Sequence, residues 1–200
     1  MTFGHLFFVL SLFTFSVVEP HSNGAPEEAC GNLTPGHGLE AQKNDESIPV
    51  TCTANLGKNL LNPYKDCLLW SIVMPCSYLT QNDKYYLLDS MMSGEQLTLI
   101  IKGKSNRGFR GFVIQAQDED GKPLGEFKFS GAARAQCLKC RWWDTCGSIT
   151  HKNAGLKRRV VTDWRSPADY AGTVQFKYSI VTSYDEYWVN VNGPTVKVTK

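Results

Sequence analysis

The stretch FRGFVIQAQDEDGKPLGEF, residues 109–127, decides the fold. Phe112, Ile114 and Ala116 fall on one side of an extended chain, and the residues between them fall on the other. A polar turn, DEDGKP, follows, and the period-two spacing then resumes in GEFKF. The pattern predicts a β-hairpin made of a strand, a turn and a second strand.

The same alternation continues towards the C-terminus. Its clearest example is TVQFKYSIV, residues 173–181, with its apolar side chains on one face and Gln175, Lys177 and Ser179 on the other. The remaining predicted strands are QLTLIIK (96–102), RRVVTDW (158–164), EYWVNV (186–191) and TVKVTK (195–200). Strands with one apolar face, separated by polar turns, predict a single-domain, all-β, antiparallel sandwich.

The N-terminus carries an uncharged apolar run of 13 residues, Leu6 to Val18. This run is too short to cross a bilayer as a helix. Ser22 and Gly24 are small residues that suit signal-peptidase cleavage before Ala25. We therefore expect residues 1–24 to be a signal peptide and the product to be secreted and extracellular, with no transmembrane segment.

Beyond residue 24 the chain has 21 basic and 18 acidic side chains, because Glu19 is the one charged side chain of the leader. This balance is only mildly basic, whereas nucleic-acid-binding proteins usually show a strong basic excess. We therefore expect no nucleic-acid partner.

Seven cysteines follow the leader, namely Cys30, Cys52, Cys67, Cys76, Cys137, Cys140 and Cys146. In an oxidising compartment most of them should form disulfides, and an odd count leaves at least one free or paired with another chain. For Cys137 and Cys140, which form a C-x-x-C motif, we favour disulfides over zinc because no second ligand pair completes a metal site.

The first part of the cleaved chain has little regular patterning. Residues 25–49 predict an irregular arm attached through Cys30, and residues 50–84, which include the apolar run CLLWSIVM, remain unassigned. The sequon Asn32-Leu-Thr34 predicts N-glycosylation at Asn32 on the surface.

The sequence offers no catalytic set, cofactor motif or metal motif. His37 and His151 are the histidines left after cleavage, and neither accompanies a recognisable nucleophile motif. We interpret His151 as a strand-end residue bonded to the backbone, and we expect no enzymatic activity.

Two segments are candidates for binding a ligand. The stretch KRR, Lys157 to Arg159, together with KGKSNRGFR (102–110), offers cations for phosphate or sulfate groups. The stretch CRWWDTC (140–146) places Arg141, Trp142 and Trp143 between two cysteines. One indole could then be exposed and stack on a sugar ring or a lipid chain, or it could instead cover the end of the sandwich.

Several segments in order resemble the reeler (reelin N-terminal) domain, and within that family the short secreted arthropod-type defence proteins of the noduler kind. These segments are GAPEEACGNLTPGHG, GEQLTLIIKG, FRGFVIQAQDEDGKPLGEF, SITHKNAGLKRRVVTDWRSPADYAGTVQFKYSIV and YWVNV. The resemblance covers residues 25–193, with 50–84 as an atypical, irregular, cysteine-rich insertion and 194–200 as a C-terminal strand or tail.

The resemblance implies an immunoglobulin-like β-sandwich. It also implies a disulfide between Cys30 and Cys137, with Cys140 as the alternative partner. Its functional implication is an innate-immune protein that binds microbial lipopolysaccharide or β-glucan and promotes aggregation of blood cells. The alternative is an extracellular-matrix or adhesion module that binds heparin-like chains. Ferric-chelate reduction, found in some membrane proteins with reeler domains, would need haem-bearing membrane helices.

Overall fold

The structure is a computed structural model that describes residues 21–44, 47–56, 90–129 and 134–200. Within these ranges it contains one short α-helix, α1 (Ala29–Asn32), one 3-10 helix (Lys104–Asn106) and ten strands. The strands are β1 (Val50–Leu56), β2 (Ser90–Met92), β3 (Gln96–Gly103), β4 (Gly111–Gln117), β5 (Glu126–Lys128), β6 (Ala135–Cys137), β7 (Ser148–His151), β8 (Arg159–Arg165), β9 (Gly172–Val181) and β10 (Tyr187–Thr199).

The strands form two sheets with the orders β1-β3-β8-β5 and β2-β10-β9-β4-β7-β6. All pairs are antiparallel except β2 and β10, which run parallel. The all-β sandwich expected from the alternating pattern is therefore confirmed, and its arrangement is consistent with the immunoglobulin-like variant.

The apolar faces of both sheets meet in one core. On β9 the side chains of Val174, Phe176, Tyr178 and Ile180 are buried, as the alternation predicts. Trp164 of β8 packs edge-on against Phe176, with ring centroids 5.2 Å apart. Buried aromatic side chains of this kind contribute strongly to the stability of the core.

The hairpin predicted within residues 109–127 has the expected turn but the wrong strand pairing. β4 pairs with β7 and β9 in the six-stranded sheet, whereas β5 pairs with β8 in the four-stranded sheet. Both edges of β4 are occupied, so β5 cannot pair with it. The chain turns back at residues 118–122, where the Leu124 amide donates to the Ala116 carbonyl at 3.1 Å, and then crosses to the four-stranded sheet. Gly125 permits this crossing because its φ is +71° and a Cβ there would lie 2.5 Å from the Trp164 ring.

The structure also corrects two other predictions, one about the C-terminal strands and one about the insertion at 50–84. The segments 186–191 and 195–200 belong to one strand, β10, which accommodates Asn192-Gly193-Pro194 through irregular register against β9. The irregular insertion expected at 50–84 begins with a regular strand, since β1 pairs with β3 along its whole length. The segment CLLWSIVM lies outside the described residues.

The N-terminal arm covers the outer face of the six-stranded sheet. Every residue of β4 is buried, because the two sheets enclose one face and the arm covers the other. Ala29 and Leu33 of the arm form a small apolar cluster with Val113 and Leu138. His37 holds the middle of the arm by stacking on Tyr184, with ring centroids 4.9 Å apart.

Candidate functional site

The disulfides place the tryptophan-bearing segment against the arm. Cys30 bonds to Cys140 and Cys137 bonds to Cys146, so the predicted Cys30–Cys137 pairing is wrong and the alternative partner is the correct one. The reason is the alternation of an extended chain. Leu138 and Cys140 pack with Ala29 and Leu33 of the arm, whereas Cys137 does not belong to that cluster and pairs with Cys146.

Residues 138–147, which we call the tryptophan loop, present one indole to solvent. Trp142 is 89% exposed, whereas Trp143 is half-buried and packs against the cluster formed by the arm. Arg141 forms an exposed ion pair with Glu27, with Nε and Oε1 3.1 Å apart. Trp142 is therefore the exposed indole. Trp143 packs, but against the cluster beneath the arm and not over the end of the sandwich.

Lys157 is not a surface residue. Its side chain is 0% exposed, and its Nζ donates to the carbonyls of Arg110, Asn153 and Gly155 at 2.5–2.7 Å. Desolvation lowers its pKa to about 8, helped by the charges of Arg134 and Arg110, so the amine is mostly protonated at neutral pH. The expectation that Lys157 contacts a ligand is therefore wrong, because its three donors close the loop between β7 and β8.

Replacing Lys157 with methionine is expected to lower the free energy of unfolding by about 2–3 kcal/mol. The side chain keeps its length, but three carbonyls lose their charged donor. Arg158→Met is the control, because Arg158 is exposed and should change stability by less than about 0.5 kcal/mol. Urea unfolding of both variants gives the comparison, and equal losses would contradict the role assigned to Lys157.

The other two residues of the KRR stretch remain exposed and belong to a basic surface. Arg159 lies directly opposite Lys102 in the β8–β3 pair, and the Gly103 amide donates to the Arg158 carbonyl at 2.9 Å. We call this surface the basic end; it comprises Lys102, Lys104, Arg107, Arg158 and Arg159, all exposed. The ion pairs within the described ranges, Lys128–Glu126 and Arg141–Glu27, include none of these five.

A cavity of about 190 Å³ lies between the arm and the outer face of the six-stranded sheet, and sequence reasoning did not predict it. His37 and His151 both line it. His151 bonds to the backbone, as expected, with Nε2 3.1 Å from the His21 carbonyl oxygen, and burial lowers its pKa. No sequence signal marks this cavity, because the arm that closes it has no apolar period.

Cys52 is a free thiol among the described cysteines. It packs against the core between the sheets, and burial raises its pKa to about 12. A thiol with that pKa is almost wholly protonated at neutral pH and therefore unreactive. Cys67 and Cys76 lie outside the described residues.

In the described part of the chain, no three His, Cys, Asp or Glu side chains are grouped so that they could hold a metal ion. Within the same residues, no helix has the length and apolar character needed to cross a membrane.

The fold and the site together define a disulfide-bonded, all-β domain with an exposed aromatic loop and a basic end. The chain belongs to the reeler domain family, whose model matches residues 74–200.

Two relatives show the range of proteins that carry this domain. Defense protein l(2)34Fc of Drosophila melanogaster is 30% identical over 175 residues, which cover 86% of this chain and 85% of that protein. Ferric-chelate reductase 1 of Homo sapiens is 25% identical over 186 residues, covering 92% of this chain and 25% of the reductase. The chain therefore spans about a quarter of the length of that reductase.

Among solved structures, the reelin-N domain of F-spondin is similar to this chain. It has a TM-score of 0.48 and 18% identity, and the alignment covers 56% of this chain and 80% of that one.

Proposed function

We propose that the protein is a secreted, non-enzymatic defence protein that binds microbial surface molecules, namely lipopolysaccharide and β-glucan, and promotes aggregation of blood cells. The exposure of Trp142 is the observation that carries the proposal. Relatives named as defence proteins support the biological setting, because one of them is matched over 85% of its length. The proposal includes removal of residues 1–24 and glycosylation of Asn32, whose side chain is exposed.

The geometry of the tryptophan loop suits stacking on a sugar ring. The exposed indole of Trp142 leaves its apolar face free, and an indole face packs well on the C–H face of a sugar. The Cys137–Cys146 bond closes the loop and the Cys30–Cys140 bond holds it to the arm. Little conformational entropy is therefore lost when the loop binds a ligand.

Co-sedimentation of the purified secreted protein with bacteria, yeast and β-glucan particles tests the proposal. We expect Trp142→Ala to weaken binding by roughly tenfold, about the effect of losing one stacked aromatic ring. Met92→Ala is the matched control, since Met92 is also an exposed large apolar residue but lies on β2, at the opposite edge of the same sheet. The wild type failing to bind any of these particles would overturn the proposal, as would equal losses in the two variants.

The basic end favours a second candidate function, binding of heparin-like chains in the extracellular matrix. Like charges directly opposite each other on a sheet are destabilising, and Lys102 and Arg159 occupy such a pair. A sulfated polymer would relieve this repulsion. Heparin beads in the same assay distinguish the two candidates: heparin binding that disappears at modest salt and weakens in Arg159→Ala, without binding to microbial particles, supports the matrix role.

A further inference from the structure

The cavity beneath the arm has the character of a binding site for an apolar chain. Its wall is almost wholly apolar and is formed by Leu33 and Pro35 of the arm and by Phe112, Val113 and Val181 of the sheet. Apolar cavities gain little from being filled with water, because water needs two or more polar partners. A flexible hydrocarbon chain would fill this space and be removed from water.

Among the described residues that line this apolar space, Arg110 is the one lysine, arginine, aspartate or glutamate. Arg110 is exposed, and one of its terminal nitrogens, Nη1, makes only a long contact of 3.4 Å, to the Ala154 carbonyl. Neither ion pair of the described ranges involves Arg110. Lys157 adds positive charge beside Arg110, because its Nζ donates to the Arg110 carbonyl at 2.6 Å. An acidic head group therefore complements this side of the cavity.

Cleavage of the leader would change the same cavity. His21 and Ser22 contribute to its wall and precede Gly24, after which cleavage is expected. Their removal opens that wall and takes away the carbonyl that contacts Nε2 of His151. Ala25 also lines the cavity, and its backbone nitrogen, 2.9 Å from the Thr150 hydroxyl, would become a terminal amine. Such an amine is largely protonated at pH 7 and adds a second cation.

We propose that this cavity binds one acyl chain of an anionic amphiphile, with the acidic head held at Arg110. The inference goes beyond glycan recognition by the tryptophan loop, and it rests on the proposed function only in taking the chain as secreted and cleaved after Gly24. The methyl end of the acyl chain enters between the arm and the sheet. The acidic head group stays at the surface, beside Arg110 and the terminal amine of Ala25.

Isothermal titration of the purified secreted protein, with its N-terminus determined by mass spectrometry, tests the inference. Sodium dodecanoate is the probe, butanoate has the same head on a shorter chain, and dodecyltrimethylammonium has the same chain on a cationic head. Each buried methylene changes affinity by about fourfold, so dodecanoate should bind at least about a hundredfold more tightly than butanoate. The cationic amphiphile should bind about tenfold more weakly than dodecanoate or worse.

Variants separate the two parts of the site. Val181→Phe fills the cavity and should abolish binding, and Arg110→Ala should weaken it about tenfold. Arg107→Ala is the control, since Arg107 is an exposed arginine that does not line the cavity, and it should bind as the wild type does. Thermal unfolding of each variant verifies its fold. If Val181→Phe is unfolded, the comparison of dodecanoate binding by Arg110→Ala and Arg107→Ala still tests the inference.

Four results would each overturn the inference: dodecanoate binding no better than butanoate, equal binding of the cationic amphiphile, wild-type binding by a folded Val181→Phe, or Arg110→Ala binding dodecanoate as tightly as Arg107→Ala. The failure of this site is distinguishable from failure of the tryptophan loop. Trp142→Ala should keep full dodecanoate binding, whereas its binding to microbial particles should weaken by roughly tenfold.

Discussion

Replacing both Cys30 and Cys140 with alanine is expected to lower the free energy of unfolding by roughly 4–5 kcal/mol. The bond joins residues 110 positions apart, so it removes a large amount of conformational entropy from the unfolded chain. In the chain-entropy model the stabilisation grows with the logarithm of the loop length. Loss of the bond also releases the arm from the tryptophan loop.

The second disulfide is the natural control for the first. Cys137 and Cys146 are only 9 positions apart, and the same model gives roughly 2–3 kcal/mol for replacing both by alanine. Guanidinium unfolding of the two double variants, both without reductant, measures the difference. Equal losses would show that loop closure does not account for the stability of this domain.

Replacing Trp164 with alanine is expected to lower the free energy of unfolding by about 3–5 kcal/mol. Its side chain is 0% exposed, packs on Phe176 and donates from Nε1 to the Leu124 carbonyl at 3.1 Å. Truncation leaves a large cavity between the sheets and an unpaired carbonyl. Gly125 lies against the Trp164 ring and has no side chain that could move into the cavity.

Trp142→Ala makes the matched comparison, since it removes the same side chain from a position that is 89% exposed. Its effect on stability should be below about 0.5 kcal/mol. Urea unfolding of the two variants, followed by circular dichroism, tests both expectations. A large loss for Trp142→Ala would mean that this ring is packed and would also weaken the proposed binding role.

The sequence predicted individual strands well where one face is apolar. β3 and β9 appear where the alternation places them, because a half-buried strand must alternate to satisfy both core and solvent. The alternation does not say which sheet a strand joins. It therefore predicted β4 and β5 but wrongly paired them, since pairing depends on neighbours that come much later in the chain.

The candidate site was predictable only in part. Trp142 is exposed, which was one of two alternatives left open by the sequence, and Arg159 is exposed as well. Lys157 is buried because the loop between β7 and β8 folds its carbonyls around the amine. No local sequence pattern indicates that the loop between β7 and β8 encloses the Lys157 amine. The correct partner of Cys30 likewise depends on which residues of the segment after β6 face the arm.

Leu33 connects two parts of the molecule. It belongs to the cluster against which Trp143 packs, and it also lines the cavity beneath the arm. A bound acyl chain that displaces Leu33 would therefore shift the platform on which the tryptophan loop rests. Thermodynamic reciprocity then requires that, if the lipid changes the affinity for a glycan by some factor, the glycan changes the affinity for the lipid by the same factor. A microbial surface that carries both groups would be recognised cooperatively or antagonistically according to the sign of this one coupling energy.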